Sequence, residues 1–69
     1  MDVERVNLPG IGLRHSVTTG RGRRLGVVSH HTGRRDLVVY DKVDPDWTVV
    51  SVELSPEEAN VLAELLGGG

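Results

Sequence analysis

The fold class follows from residues 47–69, whose sequence is WTVVSVELSPEEANVLAELLGGG. Residues 47–54 are rich in β-branched side chains, which is typical of a β-strand. After Ser55 the apolar residues recur at three- and four-residue spacing, which is the period of an amphipathic helix. They are Ala59, Leu62, Ala63 and Leu66. Because this helix follows a run of predicted strands and does not alternate with them, the pattern indicates a domain of the α+β class.

The boundaries of this helix carry their own signals. Ser55 can accept a hydrogen bond as the N-cap, and Pro56 suits the first helical position. Glu58 completes a capping box with Ser55. The glycines at 67–69 favour termination. We therefore predict a helix that begins after Ser55 and ends before Gly67.

β-Strands are predicted in the rest of the chain, from apolar alternation or from short apolar runs between turn signals. They span residues 2–8, 11–17, 25–30, 36–40 and 47–54. A glycine-containing connection at 19–23 and the pair Thr32-Gly33 predict hairpins between neighbouring strands. We therefore expect a small, mainly antiparallel sheet of four or five strands with one C-terminal helix packed on a face.

The hairpin turns also predict which residues share a face of the sheet. If the second hairpin turns at Thr32-Gly33, two cross-strand pairs lie beneath the helix. They are Val27 with Val38 and Leu25 with Tyr40. The other face then keeps apolar side chains that a single helix leaves uncovered, which predicts a protein interface there. Its candidate residues are Val28, Leu37, Val39, Trp47 and Val49.

Length and composition limit the function. The chain has 69 residues, enough for one domain, and its 38% hydrophobic and 26% charged content is typical of a globular protein. One Trp, one Tyr and no Phe leave little material to line a small-molecule pocket, so we do not expect an enzyme. The absence of Cys favours a reducing compartment. No segment approaches the length of a membrane span.

Two motifs resemble chemical sites but lack the context that such sites need. His30 and His31 are adjacent on a predicted strand, so their side chains point to opposite faces and cannot bind one metal ion together. The glycine-rich residues 20–26 are not followed by a predicted helix, which a phosphate-binding loop requires. We therefore predict no metal site, no cofactor and no catalytic residue.

The distribution of charge leaves one alternative open. The net charge is −2, but seven of the eight cations lie at or before Arg35 and eight of the ten acids lie after it. The candidate electrostatic contacts are Arg23, Arg24, Arg34 and Arg35. The alternative function is that of a small nucleic-acid-binding β-domain that uses these arginine-rich loops. The pI of about 5.8 and the scarcity of aromatic residues weigh against it.

Four stretches of the chain are recognisable together. They are VNLPGIG at 6–12, GRRDLVVY at 33–40, VELSPEEA at 52–59 and LLGG at 65–68. In their order and spacing they resemble the N-terminal domain of KhtT-like regulatory subunits of bacterial cation/proton antiporters. The resemblance covers essentially the whole chain, and none of the four stretches is a catalytic signature.

The resemblance implies a non-catalytic regulatory domain that acts in dimerisation and in contact with the transporter. In that family the domain precedes a TrkA C-terminal (RCK_C) domain that binds the regulatory ligand. The full protein is a homodimer in the cytoplasm, peripheral to the inner face of the membrane, on an antiporter of potassium or a related cation. We accordingly expect a domain at 1–66, and a glycine tail at 67–69 that starts a linker to the ligand-binding domain. We expect neither nucleic-acid binding nor direct membrane insertion.

Overall fold

The computed structural model describes residues 2–44 and 46–68, which contain five β-strands and one α-helix. The strands are β1 (Val3–Leu8), β2 (Gly12–Thr18), β3 (Arg24–His30), β4 (Arg35–Tyr40) and β5 (Thr48–Leu54). The helix, α1, spans Pro56–Leu66. The α+β class and the C-terminal helix are therefore confirmed.

The strands form one open sheet in the order of the chain, β1-β2-β3-β4-β5, and all neighbours are antiparallel. This order results when short connections join each strand to the next one. Strands β1 and β5 are the edges, with one neighbour each. In the described part of the chain, no helix has the length and apolar content that a membrane crossing requires.

Helix α1 begins as the sequence predicts. The Glu58 backbone N–H donates to Ser55 Oγ at 3.1 Å, and the Ser55 backbone N–H donates to Glu58 Oε1 at 2.8 Å. These two bonds form the capping box. The hydrogen bond from the Ser55 backbone lowers the pKa of Glu58. At the other end, the Gly67 N–H donates to the Ala63 carbonyl at 2.9 Å.

The pairing of β3 with β4 corrects the predicted register by one residue. Leu25 lies opposite Val39, where the sequence predicts Tyr40, and Val27 lies opposite Leu37. A slip of one residue moves every side chain of a strand to the opposite face. Leu37 and Val39 therefore lie on the face opposite to Tyr40.

The length of the turn explains this correction. The His30 N–H donates to the Arg34 carbonyl, and the Gly33 N–H donates to the His30 carbonyl. The loop thus has three residues, 31–33, instead of the two that the pair Thr32-Gly33 predicts. Gly33 has a φ of 98°, and a three-residue hairpin loop places such a residue in the left-handed region. The extra loop residue shifts β4 by one position along β3.

The five candidate interface residues consequently do not share a face. Val28 lies opposite Asp36, on the face that carries Tyr40, whereas Leu37 and Val39 lie on the other face, on the side of α1. The prediction that they form one surface opposite α1 is wrong because it rested on the two-residue turn. Whether any of them contacts a partner stays a prediction.

The other two candidates lie at the start of β5. Trp47 immediately precedes the strand and is 67% exposed. Val49 is also exposed, and it occupies a bulge, because Val50 lies opposite Val39 while Thr48 lies opposite Tyr40.

The two faces of the sheet differ in composition. The apolar face, on the side of α1, carries Val17, Leu25, Val27, Leu37, Val39, Val50 and Val52. The polar face carries Glu4, Arg14, Ser16, Arg24, Val28, Asp36, Val38 and Tyr40.

The most buried side chains lie on the polar face and not beneath the helix. Val38 and Tyr40 are the buried hydrophobic residues of the described chain, and Ser16 and Asp36 are buried with them. No residue of α1 is buried, and the helix contacts mainly the adjoining strand β5. The helix therefore covers one corner of the apolar face and leaves the rest open.

Candidate protein-binding surface

The apolar face is a hydrophobic surface that the described residues leave accessible. Its side chains are half-buried or exposed, and Val52 is 44% exposed. They come from four neighbouring strands, β2 to β5, and His15 lies among them on the same face, opposite Val27. Monomeric proteins rarely expose a large apolar patch unless it serves an interaction. The face is therefore a candidate docking surface for another protein.

The helix extends this surface instead of closing it. Between α1 and the sheet lies the inner groove, of about 320 Å³, whose apolar lining includes Val27, Leu37, Leu62 and Leu66. Leu62 is half-buried against it. Leu66 projects from the last turn and is largely exposed. The sheet and the helix thus offer apolar groups on both sides of an open cleft.

A second groove lies on the other flank of the helix. This outer groove, of about 350 Å³, is lined by the apolar residues Leu54, Val61, Leu62 and Leu65 together with Glu57 and Glu58 of the first helical turn. Leu65 is 69% exposed. Leu54 is the last residue of β5, so the outer groove opens beside that end of the strand.

On the polar face, by contrast, several charged side chains bind one another. The carboxylate of Asp36 accepts hydrogen bonds from Arg34 Nε at 2.9 Å and Arg34 Nη2 at 3.1 Å. His30 Nε2 lies 2.8 Å from Asp36 Oδ2. The Arg34 hydrogen bond is the larger cause, and the His30 bond the next, of a lowered pKa for Asp36. This cluster links β3 to β4 beside the turn of their hairpin.

A second set of contacts packs Tyr40 against the middle of the sheet. Arg24 donates to Glu4 and to Ser16 Oγ, both at 3.2 Å, and its guanidinium lies 5.6 Å from the centre of the Tyr40 ring. The ring lies over Gly26, where a Cβ atom would be 2.9 Å from Tyr40 Cε2. Glycine at position 26 therefore makes the space that buries the tyrosine.

The four arginines that the sequence marks as electrostatic contacts do not form one patch. Arg24 and Arg34 bind acidic side chains, and Arg35 donates to the carbonyls of Gly33 and Arg34. Arg23 is exposed. Because Arg24 and Arg35 lie near opposite ends of the hairpin, the arrangement does not favour a continuous phosphate-binding surface. Their role as contacts to a partner stays a prediction.

The sequence predicts that the two histidines share a strand, but they do not, because β3 ends at His30 and His31 belongs to the turn. His30 binds Asp36 on the polar face, while His31 lies in the turn, where its backbone N–H donates to the Ile11 carbonyl at 2.8 Å. Within residues 2–44 and 46–68, no three His, Asp or Glu side chains cluster closely enough to hold a metal ion.

Sequence reasoning missed the buried part of the polar face. The sequence pattern does not single out Ser16 and Asp36 as buried, and the predicted register places Tyr40 beneath the helix, on the opposite face. The available signal was Gly26, since a glycine within a strand often marks the close approach of another group.

Comparison with known proteins identifies the family of this chain. Residues 1–69 match the family described as "K(+)/H(+) antiporter subunit KhtT, N-terminal domain". The chain is 38% identical over 68 residues to the ammonium/H(+) antiporter subunit AmhM of Alkalihalophilus pseudofirmus. It is 31% identical over 68 residues to the K(+)/H(+) antiporter subunit KhtT of Bacillus subtilis, and 35% identical over 68 residues to the uncharacterized protein YrvC of the same organism.

These alignments include 97–99% of this chain but 41% of each relative. The chain therefore spans about two fifths of the length of the curated relatives it matches. The family match extends over all of its residues. The chain belongs to the family of KhtT N-terminal domains.

Proposed function

We propose that this chain is a non-catalytic, protein-binding domain in the regulatory subunit of a cation/proton antiporter. The relatives named as antiporter subunits support the setting, with potassium or ammonium as the cation. The domain acts by dimerisation and by contact with the transporter or with an RCK_C domain of the same full-length protein. Through the antiporter, the subunit is held at the cytoplasmic face of the membrane.

The open apolar face is the observation that carries this proposal. Seven apolar side chains from four strands remain accessible beside a helix that has no buried residue. Burial of apolar area contributes about 25 cal/mol per Å². A partner that covers this face therefore gains association energy without disturbing the polar face, where the most buried side chains lie.

The experiment uses the full-length subunit and its antiporter in inside-out membrane vesicles. Val27→Lys places a charge at the centre of the apolar face, whereas Thr18→Lys places the same charge at an exposed position on the polar face. Binding to the vesicles is measured by co-sedimentation, and cation-driven proton movement is followed with a fluorescent pH probe. Circular dichroism shows whether each variant is folded.

We expect Val27→Lys to remove vesicle binding and the subunit-dependent change in transport, while Thr18→Lys retains both. The proposal fails if a folded Val27→Lys subunit binds and regulates like the wild type. It also fails if the wild-type subunit leaves transport by the antiporter unchanged.

A further inference from the structure

Strand β5 has a free side. It pairs with β4 alone, and no backbone hydrogen bond outside that ladder involves Thr48–Leu54 within the described residues. Its outward N–H and C=O groups are therefore available to a further strand.

The composition of β5 does nothing to prevent such pairing. Proteins usually protect an edge strand with charged residues, and β1 at the opposite edge carries Glu4 and Arg5. Strand β5 carries one charge, Glu53, and its residues are exposed apart from the half-buried Leu54. An exposed edge of this kind recognises an extended segment by main-chain hydrogen bonds.

The sequence of β5 is complementary to itself when two copies run antiparallel about Ser51. All seven residues of the strand then have a partner, and Glu53 lies opposite Val49 instead of a second Glu53. On the apolar face, Val50 lies opposite Val52, so the apolar faces of the two copies join. A register centred on Glu53 would place like charges opposite each other, which is unfavourable.

The same register brings Trp47 of one copy to the outer groove of the other. The Trp47 carbonyl accepts the Asp41 N–H at 2.8 Å, so this residue continues the line of β5. In a pairing about Ser51 it lies opposite Ser55 of the second copy, next to the outer groove. The exposed indole and the open apolar groove are complementary in chemistry.

We propose that two copies of this chain associate through β5, antiparallel about Ser51, to form one continuous sheet in which each Trp47 occupies the outer groove of the other copy. The inference rests on the proposed function in treating the chain as a protein-binding domain. It specifies the surface and the partner: the edge of β5 and a second copy of the chain. The apolar face remains free for the antiporter or the RCK_C domain.

The test is a charge exchange at the two-fold axis, measured on this chain by sedimentation velocity at several concentrations. Ser51→Lys and Ser51→Glu each place two like charges about 5 Å apart in the pair. We expect each variant to weaken self-association by at least about tenfold, and an equimolar mixture of the two to restore it. Asn7→Lys, which adds the same charge to the exposed edge strand β1, is the control and is expected to associate like the wild type.

Four results would overturn the inference. They are a wild-type chain that remains monomeric, Ser51→Lys and Ser51→Glu variants that both associate normally, a mixture that fails to recover, and an Asn7→Lys variant that dissociates. Because no antiporter is present in this experiment, these results are separate from those of the vesicle assay.

Trp47 supplies a second measurement, since it is the only tryptophan in the sequence. On association its fluorescence is expected to shift to shorter wavelength, and Leu65→Glu in the outer groove is expected to suppress that shift. A dimer in which the indole emission stays that of an exposed tryptophan would contradict the placement in the groove.

Discussion

On the polar face Tyr40 is 7% exposed and lies over Gly26, whereas on the apolar face Val52 of the neighbouring strand is 44% exposed. The polar face is closed by its own large side chains, which reach across the sheet and bind one another. The apolar face has short Val and Leu side chains and a helix that touches one corner. The comparison shows that hydrophobic composition alone does not identify the buried side of a small sheet.

Size explains why the two faces differ. A chain of about 60–70 residues buries only about 60% of the surface that it exposes when unfolded. One helix of 11 residues is not enough to cover a five-stranded sheet. Arginine and tyrosine cover more of the sheet per residue than valine does, because their long stems lie along it. The face with the longer side chains thus becomes the better buried one.

The largest expected effect tests how closely strands β2 and β3 approach each other at Gly12. Gly12 has a φ of 153°, and a Cβ atom there would lie 1.8 Å from the Ser29 carbonyl oxygen. We expect Gly12→Ala to lower the free energy of unfolding by about 4 kcal/mol, through backbone strain and overpacking together. Gly20→Ala is the control, since a Cβ atom there meets nothing within 4 Å. Urea unfolding followed by circular dichroism measures both.

If the Gly12→Ala protein were as stable as the Gly20→Ala protein, the β2–β3 pairing would have to differ from the one described. The close approach of β3 to Gly12 depends on the pairing of Gly12 with His30.

The next experiment compares the faces directly. Tyr40→Ala removes a buried aromatic ring and is expected to cost about 3–5 kcal/mol of unfolding free energy. Leu62→Ala removes a half-buried helical side chain and is expected to cost about 1–2 kcal/mol, below the usual range for a fully buried leucine. Chemical denaturation of the two variants gives both values. A Leu62→Ala variant less stable than Tyr40→Ala would show that the helix side holds the main core.

The Asp36 cluster predicts how stability depends on pH. Its pKa lies below the ordinary value of 3.8 because Arg34 and His30 bind the carboxylate. A lowered pKa contributes stability above the unfolded-state value, and that stability is lost as the pH falls through the folded-state value. Removing the charge of a buried, hydrogen-bonded group is expected to cost about 2 kcal/mol near neutral pH.

Asp36→Asn therefore should be less stable than the wild type at neutral pH, with a difference that shrinks as the pH falls below 3.8. The pKa values of Asp41 and Glu58 are also lowered by backbone hydrogen bonds, but they act equally in both proteins and cancel in the comparison. Denaturation curves at a series of pH values test this. A difference that stays constant down to strongly acidic pH would exclude the ionised carboxylate as the source.

Local signals explain which parts of this fold are predictable from sequence. The helix and its cap depend on neighbours within four residues, so Ser55 and Glu58 identify them directly. The faces depend on register, and the register depends on whether the turn before β4 has two residues or three. A two-residue turn and a three-residue turn can both have a glycine at position 33, so the sequence does not distinguish between them. The resulting slip of one residue misplaced Leu37 and Val39 and concealed the apolar face.

The sequence therefore predicts that an apolar surface is left uncovered, but it does not predict which residues form that surface. An uncovered apolar surface follows from composition, because the chain has too little helix for its strands. Its members follow from cross-strand pairing, which is not local. Predicting the free edge of β5 and the outer groove requires the strand order and the position of α1. No single segment of the sequence determines either of them.

The smallest expected effect concerns the N-cap of α1, the helix on the side of the apolar face. This cap depends on local hydrogen bonds between Ser55 and Glu58. Ser55→Ala removes the Oγ acceptor of the Glu58 N–H and is expected to cost about 1 kcal/mol of unfolding free energy. Ser55→Asp keeps an acceptor at the N-cap and is expected to retain most of the wild-type stability. Because α1 packs loosely, the loss should appear as fraying of the helix, with faster amide hydrogen exchange in its first turn and unchanged exchange in β2 and β3. If Ser55→Ala instead increased exchange equally throughout the sheet, the helix would have to be an integral part of the core, and the contrast between the two faces would disappear.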